Sequence, residues 1–146
     1  MMCGPPGAGK STYVSAHAGP DDIQIDIDAI LGELSGTEQR TQERRDRHLF
    51  DAFMERNRRL AALGTETRSL KAWFIIGAPR ASMRELWVQQ LKPQEVVVFE
   101  TPLSVCRNRI RRVPSRAETA EGMIEGAAAW WNRYERSPCD TQYVEI

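Results

Sequence analysis

The residues best suited to chemistry stand at the front of the chain. Within "CGPPGAGKST" (3–12), Gly4, four further residues, Gly9, Lys10 and Ser11 keep the spacing G-x-x-x-x-G-K-[ST]. Glycines at these places keep side chains away, so successive backbone N–H groups can point inward at phosphate oxygens. Lys10 then supplies a point charge for the β- and γ-phosphates, and Ser11 a hydroxyl for Mg²⁺. The following "STYVSAHAG" reads as a short helix whose N-terminal partial positive charge faces the same anion. The pattern predicts a nucleoside triphosphate site, for ATP or GTP with Mg²⁺. Its contacts are Gly4, Pro5, Pro6, Gly7, Ala8, Gly9, Lys10, Ser11 and Thr12.

Two further groups have the right chemistry. "DDIQIDID" (21–28) alternates apolar and polar residues and ends in acids, which reads as a strand. Asp26 and Asp28 thus fall at the carboxyl edge where open α/β sheets bind ligands. A carboxylate there can hold Mg²⁺ or take a proton from an attacking hydroxyl. Asp28 also precedes "AILGEL" and can serve as a helix N-cap. The segment "RNRIRRVPSR" (107–116) carries five arginines, of which 109, 112 and 116 share a helical face. Guanidinium groups gathered there suit a lid over transferring phosphates. A solvated face paired with Glu118, Glu121 and Glu125 is the plainer reading of any one of them. Arg80, after the third strand, could touch substrate or stand in solvent. Trp130, Trp131 and Tyr134 could stack a base, but their helical spacing fits core. His17 and His48 stand alone, with no metal partner in the sequence.

These groups need a scaffold. The chain has 146 residues, enough for one domain (1–146) with a real core. Twenty acidic and twenty basic residues balance, so no overall field calls for nucleic acid or membrane. Of the basic residues only Lys10, Lys71 and Lys92 are lysines. Three scattered cysteines without metal spacing suggest free thiols. With no signal peptide or long apolar run, a cytoplasmic protein is expected.

The expected elements alternate. After the strand at 21–28, a helical turn or two breaks at Gly36. A long helix then runs from Thr37 to Leu63, with Leu49, Phe50, Phe53, Met54, Asn57, Leu60 and Ala61 along one stripe. "LKAWFII" (70–76) suits a strand buried on both faces. The next helix turns Met83, Leu86, Trp87 and Leu91 inward. "EVVVFE" (95–100) is another strand. Pro102 opens a helix with Leu103, Cys106 and Ile110 inward, and a helix after Pro114 carries Met123, Ala127, Trp130, Trp131 and Tyr134. "TQYVEI" (141–146) closes as a strand. Strands alternating with helices imply a parallel sheet covered on both faces. Only Met1, Met2 and Cys3 precede Gly4, so the first strand is either a stub or begins upstream of this start. The third strand ends "FIIGAPR" without the aspartate of a standard Walker B, which argues against a motor ATPase and leaves Asp26 or Asp28 for that work.

With loop, acids and arginines placed, the chain resembles the P-loop kinases, particularly the phage-type 5′-hydroxyl polynucleotide kinase domain. "CGPPGAGKSTYV" is similar to that family's loop and first helix, "IQIDIDAI" to its second strand, and "VVVFETPLSVCRNRIRR" to its later strand, proline-opened helix and lid. The resemblance implies an α/β P-loop NTPase three-layer sandwich with a five-stranded parallel sheet ordered 2-3-1-4-5. It implies Asp28 as general base, Arg109 as a lid residue with Arg112 close by, and 107–116 as the lid. Lys10 completes the catalytic set, and Ser11 with Asp26 is the expected metal pair. The implied activity is transfer of the γ-phosphate of ATP to a hydroxyl of a nucleic acid (a 5′-end or a modified base) or nucleotide. A small-molecule kinase and a nucleotide-binding accessory or switch ATPase acting through a partner are the alternatives. Two departures fall in the acceptor half: Leu31 stands where the family has arginine, and Gly77, Ala78 and Pro79 replace polar residues.

Overall fold

The computed structural model describes residues 1–36 and 42–144. Five strands form one parallel sheet: β1 (Met2–Cys3), β2 (Ile23–Asp26), β3 (Ala72–Ile76), β4 (Val97–Phe99) and β5 (Gln142–Val144), in the order 2-3-1-4-5. Among the described residues, six α-helices flank it: α1 (Lys10–His17), α2 (Ile27–Ser35), α3 (Gln42–Ala62), α4 (Ala81–Leu91), α5 (Leu103–Arg111) and α6 (Ala120–Arg133). The expected architecture is therefore the observed one, with the short central strand included. β1 has two residues and pairs on both sides, Met2 with Ile75 and Val97, and Cys3 with Ile76 and Val98.

Period-two alternation splits the core between the sheet faces. Cys3, Ile25, Phe74 and Val98 point to one face, where Ile30 and Leu31 of α2, Ala52 and Leu60 of α3, and Trp87 of α4 pack. Met2, Ile75, Val97 and Phe99 point to the other, against Val14 of α1, Cys106 of α5 and Ala127 of α6.

Four expectations change in detail. The second strand ends at Asp26 and the chain enters α2 at once, so Asp28 lies in the first helical turn. The third strand starts at Ala72, which is exposed, and only Phe74 and Ile75 of its five residues are buried. On α3 the stripe is rotated: Phe50, Phe53 and Met54 are 72%, 40% and 57% exposed, while Ala52 and Leu60 are buried, with Leu49 and, just after the helix, Leu63 packed beside them. Small Ala52 lets α2 approach closely, and Arg59 completes that contact by pairing with Glu33 of α2. On α4, Met83 and Leu86 face outward, and the fully buried residue is Arg84. The first residues of the expected long helix, 37–41, and the last two of the closing strand lie outside the described residues.

Candidate active site

The phosphate loop folds as its glycines require. Gly7 and Gly9 have φ of 76° and 100°, in the left-handed region. A Cβ on Gly7 would meet the Cys106 carbonyl oxygen at 2.8 Å and Ile110 Cγ1 at 2.9 Å, so the loop can lie on α5 only with glycine there. Two donors fix the Ala8 carbonyl, Thr101 Oγ1 at 3.0 Å and Arg109 Nη1 at 2.9 Å. Gly9 occupies the N-cap position of α1 without a side-chain cap. The first amides of α1 are thereby left for an anion.

Lys10 Nζ donates to the Gly4 and Pro5 carbonyls, 2.8 Å each. Burial lowers its pKa, against the opposing charges of Asp26 and Asp28. Ser11 Oγ donates to Asp26 Oδ2 at 3.1 Å, which joins the loop to the end of β2. Asp26 Oδ1 accepts from the Asp28 amide at 3.0 Å, so Asp26 caps α2, the role that Asp28 was expected to be able to fill. Burial and the neighbouring Asp28 charge raise the pKa of Asp26; the Asp28 amide, Ser11 and Lys10 work against them. Two adjacent acids at one cleft, one with its proton affinity raised, are an arrangement typical of working sites.

These groups line one cavity of about 1360 Å³. Of the predicted loop contacts, Gly4, Pro6, Gly7, Ala8, Gly9, Lys10, Ser11 and Thr12 face it, together with Asp26, Asp28, Arg109 and Arg112. Pro5 does not line it; that residue is fully buried and contributes its carbonyl to Lys10. Arg116 also faces the cavity, but from the separate 3-10 turn Pro114–Arg116: α5 ends at Arg111, so the helical face expected to join 109, 112 and 116 is broken. Arg111 pairs instead with Glu121 at 3.6 Å, and Arg80 is exposed and not among the lining residues.

Sequence reasoning missed several wall residues. Gly32 and Glu33 of α2, Gly36 just after that helix, and Gly122, Met123 and Gly126 of α6 also line the cavity. The glycine spacing 122/126 was the available signal, since i and i+4 share a helix face, whereas Gly36 follows the end of α2 with φ of 71°. Trp130 and Trp131 are core, donating from their indole nitrogens to the Gly77 carbonyl at 2.7 Å and the Thr101 carbonyl at 3.2 Å. Leu31, where an arginine was expected, is fully buried.

The donor set fits Mg²⁺. A hydroxyl and a carboxylate within hydrogen-bond distance are hard oxygen ligands, and Mg²⁺ typically takes one or two protein oxygens beside phosphate and water. Among the described residues no group of three or more His, Cys, Asp or Glu side chains forms a metal cage, and no helix is long and apolar enough to cross a membrane.

Comparison with solved structures places the fold among kinases. An unliganded sugar kinase from Janibacter sp. HTCC2649 superposes with a TM-score of 0.54 at 16% identity, covering 99% of this chain and 82% of that one. Shikimate kinase from Acinetobacter baumannii, in complex with shikimate, gives 0.54 at 18% identity, covering 99% and 81%. A comparison with curated proteins finds no match. A protein-family match extends over residues 1–136, from the phosphate loop through the arginines to the end of α6, and by it the chain belongs to the AAA_33 family, an AAA domain with a kinase-like P-loop fold.

Proposed function

We propose that the chain is an ATP-dependent phosphotransferase that moves the γ-phosphate to a hydroxyl of a small molecule. The observation that carries this reading is the Ser11–Asp26 contact, which puts the acidic end of β2 onto the phosphate loop and leaves Asp28 on the same cavity wall. ATP is held by the loop amides and Lys10, with Arg109, Arg112 and Arg116 along the phosphate side of the cavity. Ser11 and Asp26 would hold Mg²⁺, which would supply positive charge to offset that of the phosphates. Asp28 takes the proton of the attacking hydroxyl as its oxygen bonds to the γ-phosphorus. The bond from γ-phosphorus to the bridging oxygen breaks, and ADP leaves.

The wall that faces the acceptor favours a small molecule. We assign that wall to Ile27, Asp28 and Glu33 of α2 with Ile75 and Ile76 of β3 and Gly77 after it, all of which line the cavity. Acids and aliphatics there suit a compact hydroxyl compound better than a polyanionic strand end. The volume exceeds the 300–1,000 Å³ typical of a single-ligand pocket, so donor and acceptor fit together. The sugar kinase and the shikimate kinase that the chain is similar to in fold are both named for small acceptors.

The test is a screen of γ-labelled ATP and Mg²⁺ against sugars, shikimate, nucleosides and 5′-hydroxyl oligonucleotides. Label on a small hydroxyl compound is the expected result. Label on oligonucleotides alone would move the acceptor to the nucleic-acid end implied by the sequence resemblance. Label released only as inorganic phosphate would replace the kinase with a switch ATPase.

A further inference from the structure

Arg84 occupies the inner face of α4, where the helical pattern asks for an apolar side chain, and it is 0% exposed. Every donor of its guanidinium has a partner. Nε donates to Asp140 Oδ1 at 2.7 Å and Nη2 to Asp140 Oδ2 at 2.9 Å, a bidentate pair with a carboxylate that is itself fully buried. Nη1 donates to the Ala78 and Pro79 carbonyls, 2.8 Å each, and Nη2 also to the Glu135 carbonyl. The group lies 5.6 Å over the Tyr134 ring.

Its backbone partners sit beside the cavity. Ala78 has φ of 40°, a left-handed conformation uncommon outside glycine, and such a residue persists when its surroundings over-determine it. Arg84 supplies that constraint from one side, and the Glu135 amide, donating to the Pro79 carbonyl at 3.1 Å, supplies it from another. The preceding residue, Gly77, lines the cavity. Its carbonyl accepts from the Gly4 amide of the phosphate loop at 3.2 Å and from Trp130 Nε1 at 2.7 Å. A continuous path thus runs from Arg84 through Ala78 and Gly77 to the first glycine of the loop.

A buried ion pair is a poor way to gain stability, because an apolar pair of similar size often does as well or better. What the bidentate fork offers is fixed geometry. We infer that Arg84, held by Asp140, is a positioning residue that sets the Gly77–Pro79 turn, and with it the acceptor wall, relative to the phosphate loop. This rests on the phosphotransferase reading, in which γ-phosphate and hydroxyl must meet in line, and a misplacement of 1 Å costs about 10²-fold in rate.

The test compares Arg84→Met/Asp140→Leu and Arg84→Lys with the unaltered chain, by thermal melting, calorimetry with Mg²⁺-ATP, and ATP turnover with the acceptor panel and with water. The apolar pair is expected to melt close to the unaltered chain and to bind Mg²⁺-ATP within about threefold, while kcat falls about 10²-fold with little change in the KM for ATP. Arg84→Lys keeps the charge without the fork and should show the same kcat-selective loss, so it decides the matter if the double variant does not fold. Full kcat in either folded variant would overturn the inference and leave the pair a structural brace. Should the unaltered chain transfer no phosphate, the kinase reading fails separately. Hydrogen exchange at the Gly4 amide then decides positioning: faster exchange in a variant of unchanged melting temperature supports it, and equal exchange refutes it.

Discussion

Ser11 Oγ and Asp26 Oδ2 lie 3.1 Å apart, so the phosphate loop and the end of β2 share one hydrogen bond although fifteen residues separate them in sequence. This joins the loop hydroxyl to a carboxylate that burial and a neighbouring acid have made harder to ionise.

Asp26→Asn separates function from stability. Because the folded-state pKa of Asp26 is raised, its charged form works against folding above its ordinary titration range. Asn keeps an oxygen to cap α2 and removes that charge. The variant should therefore melt higher than the unaltered chain at pH 7 without Mg²⁺, and lose most Mg²⁺-dependent tightening of ATP binding. Melting scans and calorimetry with and without the metal check this; a lower melting temperature would show that the ionised carboxylate stabilises the fold.

Asp140 reports the opposite sign. Burial alone would raise its pKa, but the Arg84 pair and the Ser137 amide outweigh that and hold it below the usual carboxylate range. Glu100 is held low as well, chiefly by Arg136, with Tyr134 adding a bond. A depressed carboxylate contributes stability that is present above its unfolded pKa, about 3.9 for Asp and 4.3 for Glu, and lost as pH falls through the folded value. The melting temperature should thus drop steeply below about pH 4. Asp140→Asn should cost about 3–5 kcal/mol at pH 7, since it strands a buried guanidinium, and should flatten the acid decline. A variant with an unchanged acid profile would remove Asp140 from this account.

Much of the fold was legible because its signals are local. The glycine spacing of the loop, the apolar strands and the proline before α5 each report on neighbours within a few residues. Arg84 was not legible: an arginine in an apolar stripe reads as polar until Asp140, 56 residues on, is folded against it. The same displacement misplaced the inner face of α4. On α3 the aromatics Phe50 and Phe53 suggested the core face, yet close packing against α2 selected small Ala52 instead. In the site, the acid pair was visible, but the division between them was not. Asp26 became cap and Ser11 partner because the strand stops two residues earlier than the alternation suggests.

We propose that residues 107–116 act as a lid. Arg109, Arg112 and Arg116 line the same cavity, and only Arg109 of these donates to the phosphate loop, through the Ala8 carbonyl. Guanidinium groups facing one cavity repel until an anion lies among them. Backbone hydrogen exchange across 107–116 should slow when a non-hydrolysable ATP analogue is added with Mg²⁺; the same rates with and without it would argue for a fixed helix end.

We propose that this cavity transfers phosphate to a hydroxyl with Asp28 as the proton acceptor. Rapid-quench single turnover of γ-labelled ATP, with the best acceptor of the panel, tests it most directly in the unaltered chain, Asp28→Asn and Lys10→Ala. Label should pass to the acceptor in the unaltered chain. It should slow by about 10²–10⁴ in Asp28→Asn with ATP affinity retained, and Lys10→Ala should lose most ATP binding or turnover while staying folded. Transfer at the unaltered rate in folded Asp28→Asn, or label appearing only as inorganic phosphate, would contradict the account.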